Sequence, residues 1–187
     1  MKKLLCTVLF IASAAAAQSA ETYRVDPNHT QATFSFSHMG FSRFHGKIPS
    51  QSGQIVLDRA AQTGNVEVVF DLRGIATGVP AFDNHLRSKD LFEVEKYPTA
   101  TFKAGKMTFK GDAPSVITGE LTMKGMTKPV TLQVSGSKCG MHPMEKKQAC
   151  GANATATIKR SEFGLGYALP AVPDEIELII EVESIAQ

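Results

Sequence analysis

The sequence predicts an all-β, antiparallel fold, either a closed barrel or a two-layer sandwich, interrupted by one short helical crossover around residues 79–97. Three observations carry this reading. Apolar residues recur at every second position over most of the chain after residue 20, which is the strand period. Each such segment has one apolar and one polar face, as in an antiparallel sheet wetted on one side. About eight to ten strands of this kind must close on themselves or gain a second layer to bury their apolar faces.

The chain begins with Met1-Lys2-Lys3, an apolar run from Leu4 to Ala17, and then Gln18-Ser19-Ala20. A basic start, a short apolar stretch and a small-residue end mark residues 1–20 as a cleaved secretory signal peptide of bacterial style. The run falls short of the about 20 residues of a membrane span. Ala15 and Ala17 fit a cut after residue 17, and the alternative cut follows Ala20. Cys6 lies too deep in the apolar run to be a lipoprotein anchor. The expected mature protein, residues 21–187, is periplasmic or secreted. Of 187 residues, 20 are Lys or Arg and 18 are Asp or Glu. Losing Lys2 and Lys3 leaves 18 of each, a net charge of zero. That excludes a nucleic-acid binder working by bulk positive charge, and nothing draws the domain to anionic lipid by charge alone. A hydrophobic content of 43% with 20% charged residues excludes disorder.

The strands follow in order. Ala32, Phe34 and Phe36 alternate with Thr33, Ser35 and Ser37, and further strands are expected near 41–48 and 54–58. Val66, Val68, Phe70 and Leu72 alternate with Glu67, Val69 and Asp71. Ala100, Phe102 and Ala104, then Met107 and Phe109, alternate with polar neighbours, with another strand near 116–123. Val130, Leu132 and Val134 form the next, and Ala152, Ala154, Ala156 and Ile158 the one after. In the last, Ile176, Leu178, Ile180 and Val182 oppose glutamates. Thr63-Gly64-Asn65, Lys110-Gly111-Asp112 and Lys124-Gly125 supply hairpin turns.

Between Val79 and Tyr97 the alternation stops. Residues 81–87 suit one or two helical turns, with Phe82 and Leu86 four apart. Ser88 can cap a second turn over 89–94, and Pro98 ends it. The segment is expected to plug one end of the barrel, with Asp83 and Arg87, four apart on either side of His85, as a local ion pair that fixes it.

The inward face is rich in alanine: Ala32, Ala100, Ala104, Ala152, Ala154 and Ala156. A small barrel ordinarily fills its interior with side chains. Periodicity alone leaves two readings open. Phenylalanines or the crossover fill the volume, or the barrel is hollow and apolar and holds a lipid-like ligand.

Five histidines match no zinc motif in their spacing, and no metal site, cofactor or catalytic residue is assigned. Cys139 and Cys150 flank a polar hairpin, which in an oxidising compartment reads as a disulfide. A metal site built on both thiols, His142 and a methionine is the alternative. Nucleophile elbow, Walker loop and dinucleotide fingerprint are all missing from the sequence.

Four ordered segments together resemble the YceI family. They are Tyr23-Arg24-Val25-Asp26-Pro27-Asn28-His29-Thr30 with Phe34–Gly40; Asp83–Phe92 with Tyr97-Pro98-Thr99-Ala100-Thr101-Phe102; Gly119–Val130; and Ile158–Gly164. The resemblance spans about 22–185. It implies an extended, lipocalin-like antiparallel β-barrel with a tunnel. It also implies binding of polyisoprenoids or similar long amphiphiles, such as isoprenoid quinones, without catalysis. No catalytic residue carries over. The family's frequent Arg-Asp reads Phe82-Asp83 here, and the cysteine hairpin is not a general family feature.

Strand parity then nominates Phe34, Phe36, His38, Phe41, Phe70, Phe102, Ala154, Ala156, Leu178 and Ile180 as tunnel contacts, with His38 or Arg87 at a rim for a polar head group. The expected protein is a periplasmic carrier with an amphiphilic lipid as its partner. No nucleic acid and no integral membrane segment are expected, and homodimerisation is left open. The alternatives are an enzyme acting on an isoprenoid lipid, or a stress or interaction protein with a filled core.

Overall fold

Residues 20–187 are described by a computed structural model of the chain, so the signal-peptide reading falls outside the described residues but for Ala20. The strands are β1 (Glu21–Val25), β2 (Gln31–His38), β3 (Ser42–Asp58), β4 (Thr63–Asp71), β5 (Thr99–Lys110), β6 (Ala113–Met123), β7 (Met126–Met141), β8 (Gln148–Lys159) and β9 (Glu175–Ala186), with one helix, α1 (Pro80–Arg87). Strands β2 to β9 pair antiparallel in sequence order, and β9 pairs back onto β2, so the sheet is a closed eight-stranded barrel and not a sandwich. Closure removes every edge within that ring. β1 fills the gap between the far part of β3 and the end of β9.

Two expected pairs of strands are single strands. The segments near 41–48 and 54–58 form the 17-residue β3, broken in register between Ser50 and Ser52. The alternations at 100–104 and 107–109 form β5, with a register shift between Ala104 and Lys106. A bulge sets two residues against one, which inverts the parity and makes one strand look like two. At that bulge Gly119 faces Ala104, and a Cβ on Gly119 would stand 2.3 Å from the Lys103 carbonyl oxygen.

The connections sort to two ends. The β2–β3 turn, the 72–98 crossover, the β6–β7 turn and the 160–174 loop lie at one, here the crossover end. The β3–β4, β5–β6 and β7–β8 turns lie at the other, the hairpin end. Pro80 starts α1, where its missing N–H costs nothing. Leu86, Leu91, Phe92 and Val94 are buried together with Leu72 and Ile75, so the crossover covers part of the barrel end as expected. The expected second helical turn at 89–94 is instead a pair of tight turns: the Ser88 carbonyl accepts from the Leu91 N–H at 3.2 Å and the Glu93 N–H at 2.8 Å. The Asp83–Arg87 ion pair does not form. Asp83 accepts from the Thr77 N–H (2.7 Å) and hydroxyl (2.6 Å). Those hydrogen bonds hold its carboxyl below the usual carboxylate range.

Candidate functional site

Inward positions of the strands carry Ala32, Ala100, Ala104 and Ala154 among larger apolar residues. A one-carbon side chain cannot reach the barrel axis, and the phenylalanines do not make up the difference. Phe34 lies flat over Gly46, where an added Cβ would come within 2.2 Å of its ring. Phe36 stacks on toward Phe44 and Phe82, with centroids 5.8 and 6.4 Å away. The aromatic mass therefore gathers along the wall at the crossover end, and a cavity of about 770 Å³ remains inside. Its size is that of a ligand site.

The cavity reaches both ends. At the crossover end its mouth lies between Met39 of the β2–β3 turn, Phe82 and His85 of α1, and the loop from Tyr167 to Val172. The His85 ring meets the Tyr167 ring edge to face at 4.8 Å. At the hairpin end stand Arg59 and the Cys139–Cys150 disulfide. The two cysteines are direct cross-strand partners on β7 and β8, so the predicted bridge is present. Arg59 donates to Glu21 and lies 2.8 and 3.1 Å from the two sulfurs.

Several polar groups of the lining are committed to the fold. Arg160, only 6% exposed, donates to the carbonyls of Leu165, Tyr167 (2.8 Å), Val172 (2.8 Å) and Pro173 (2.9 Å). Burial lowers its pKa, since the charged form loses water. The base of this loop is tied by Ser161, whose N–H (2.8 Å) and hydroxyl (2.7 Å) both donate to Asp174. Ser184 donates to the Cys150 carbonyl at 3.0 Å. The Thr30 hydroxyl accepts from the Glu183 N–H at 3.0 Å. Among the described residues no three of His, Cys, Asp and Glu gather as they would around a metal ion. With both sulfurs in the disulfide, the thiol-based metal alternative has no free thiolates.

Eight of the ten nominated residues line the cavity: Phe34, Phe36, His38, Phe70, Phe102, Ala154, Leu178 and Ile180. Two do not. Phe41 is 88% exposed, because β2 ends at His38 and Phe41 is the last residue of the three-residue connection to β3. Ala156 is half-buried against the core while its face-mates Ala154 and Ile158 line the cavity. Of the two rim nominees, His38 is at the mouth. Arg87 is not: its guanidinium donates to the Ile75 carbonyl (2.9 Å) and to Asn84 Oδ1 (2.9 Å), which ties α1 to the preceding segment. Strand parity missed Met39, Tyr167 and Arg59, brought to the cavity by loops, and His85, brought there by α1.

A model of the YceI-like domain matches residues 23–184. Protein YceI of Escherichia coli O157:H7 is 34% identical over 193 residues, covering all of both chains. Among solved structures, the YCEI protein of Campylobacter jejuni superposes with a TM-score of 0.67 at 28% identity, over 79% of this chain and 87% of that one. A polyisoprenoid binding domain from Saccharophagus degradans, implicated in plant cell wall breakdown, has the same fold, with a TM-score of 0.60 at 14% identity over 88% of this chain and 98% of that one.

Proposed function

The chain belongs to the YceI family, and from that premise we propose that it is an exported, non-catalytic binding protein that carries a long apolar molecule in its barrel. The observation that carries this is the cavity of about 770 Å³ with an almost wholly apolar wall. Its size and apolar wall suit an extended hydrocarbon chain such as a polyisoprenoid or isoprenoid-quinone tail. Each carbon buried contributes up to about 0.8 kcal/mol, roughly fourfold in affinity. The polyisoprenoid-binding neighbour of the same fold supports this ligand class. Export to the periplasm rests on the basic start and apolar run of residues 1–20.

Native mass spectrometry of the protein purified from its own cells is the test, with the amino terminus sequenced in the same preparation. The expected result is a bound apolar species on a chain beginning after residue 17 or 20. Repeated recovery of empty protein that takes up neither isoprenoid quinone nor farnesol overturns the binding function. An uncut amino terminus overturns export.

A further inference from the structure

The large hydrophobic side chains left exposed are unevenly placed. Met39, Phe41, Val79, Tyr167 and Leu169 all belong to the crossover end, on the turn and loops beside the cavity mouth. The segments that carry them, 39–41, 77–82 and 164–173, contain no charged residue at all. Surface loops are ordinarily polar. At the hairpin end they are: Met141 and Met144 are also exposed there, but within Met141-His142-Pro143-Met144-Glu145-Lys146-Lys147.

Turn chemistry sharpens the contrast. Met39 and Gly40 have φ of 51° and 80°, and the Phe41 N–H donates to the His38 carbonyl at 3.0 Å, a turn with both central residues left-handed inside the three-residue connection that pairs His38 with Ser42. Asn or Asp is the usual first residue of such a turn. The β6–β7 hairpin at the same end, with a two-residue connection, puts a charged residue, Lys124 (φ 52°), before its left-handed Gly125 (φ 73°). In the β2–β3 turn that position holds an exposed methionine, followed by a phenylalanine that is 88% exposed. The charges beside these segments lie outside them: Arg43 pairs with Glu177 at 2.6 Å, Asp83 with Thr77 and Asp174 with Ser161, and the Lys124 ammonium donates to the Gly164 carbonyl at 3.4 Å.

We propose that the crossover end docks onto the surface of a lipid bilayer, inserting Met39, Phe41, Tyr167 and Leu169 among the lipids so that the cavity mouth opens into the membrane. The occupant is a bilayer because the apolar rim is continuous with the apolar cavity, through Met39 and Tyr167, which belong to both. A molecule moving between membrane and barrel along this path never crosses water. An uncharged rim matches neutral lipid, so the docking needs no anionic headgroup and is insensitive to salt. The proposal rests on the reading of the cavity as a lipid site.

The test uses protein recovered after export, with its amino terminus determined, and phosphatidylcholine vesicles in a flotation assay at low and high salt. Binding of N-phenyl-1-naphthylamine, followed by its fluorescence, reports the cavity separately. The wild type is expected to float with vesicles at both salt concentrations. Phe41→Asp and Leu169→Asp are each expected to weaken partitioning by about tenfold to a hundredfold, with dye binding unchanged. Met144→Asp, at the other end, is expected to change nothing. A wild type that binds dye but not vesicles overturns the docking and leaves the cavity reading standing. Failure to bind dye overturns the cavity reading, and the vesicle arm still decides the docking. Equal loss in Met144→Asp overturns the assignment of the end. A dimer that Phe41→Asp splits, with no vesicle binding, assigns the face to a second copy and also overturns the proposal.

Discussion

Ala154→Leu separates a hollow barrel from a filled one by the sign of its effect. Ala154 sits in the middle of β8, paired with Val134 on β7 and Ile180 on β9, buried and facing the cavity. Leucine adds three carbons. If they enter empty apolar space, each contributes up to about 0.8 kcal/mol, about 2.4 kcal/mol in all. Ordering the longer side chain costs about 0.5–1 kcal/mol, leaving a gain of roughly 1.5 kcal/mol. If the barrel interior were already packed, the same change would cost about 1–3 kcal/mol through strain. For a chain of this size each kcal/mol moves Tm by about 2–4 °C. Thermal unfolding of delipidated protein should therefore show Tm rising by roughly 3–6 °C, while the affinity for N-phenyl-1-naphthylamine falls. A lower Tm would refute the hollow interior. A higher Tm with undiminished dye binding would refute the cavity as the binding site.

Three further outcomes follow from the same contacts. Arg160→Lys is expected to cost about 3 kcal/mol, because one ammonium cannot serve four carbonyls in the directions the guanidinium does; urea unfolding measures the loss, and limited proteolysis should then cut within 160–174. Breaking the Cys139–Cys150 bridge, which spans 11 positions, is expected to cost about 3 kcal/mol in the chain-entropy model; melting the Cys139→Ser/Cys150→Ser double variant reports it, and an unchanged Tm would show that the β7–β8 ladder alone holds the hairpin. Asp26, Asp83 and Asp174 are all held below the ordinary carboxylate range, through hydrogen bonds from His29, Thr77 and Ser161 respectively. Their stabilisation is full above that range and is lost as pH falls through their folded-state values, so the acid limb of the stability curve should flatten in Asp83→Asn and Asp174→Asn.

Much of the barrel is written locally. Alternation marks each inward face, the alanines on it mark the missing volume, and the break in period at Val79 marks the crossover. Bulges defeat this reading because they leave composition untouched and change only parity, so β3 and β5 each look like two strands. Phe41 reads as inward for a related reason: the inward series from Ala32 to His38 has no Asn-Gly to announce that it stops there, and Met39-Gly40 makes the turn instead. The mouth is the least legible part. His85 and Tyr167 meet from elements far apart in sequence, and Arg160 gathers carbonyls whose identity no side-chain pattern reveals. Those contacts depend on where two loops land once the barrel has closed.

The size of the cavity constrains how the protein is used. Unfilled apolar space left in a core costs about 24 cal/mol per Å³ in core-truncation series. At about 770 Å³ that rate gives about 18 kcal/mol, more than the whole stability of an ordinary domain at about 5–15 kcal/mol. A dry, rigid void of this size is therefore not a state the folded chain can hold. The barrel must admit water through its ends, draw in its walls, or carry a ligand, and only the ligand excludes water while leaving the walls where they stand. Loading and stability are thus coupled. Delipidated protein is expected to melt below the protein as isolated, and an isoprenoid quinone at one hundred times its Kd should restore about 2.7 kcal/mol, roughly 5–10 °C in Tm. If delipidated and native protein melt together, and added quinone moves neither, the interior is already satisfied without cargo and the carrier reading fails at its physical root.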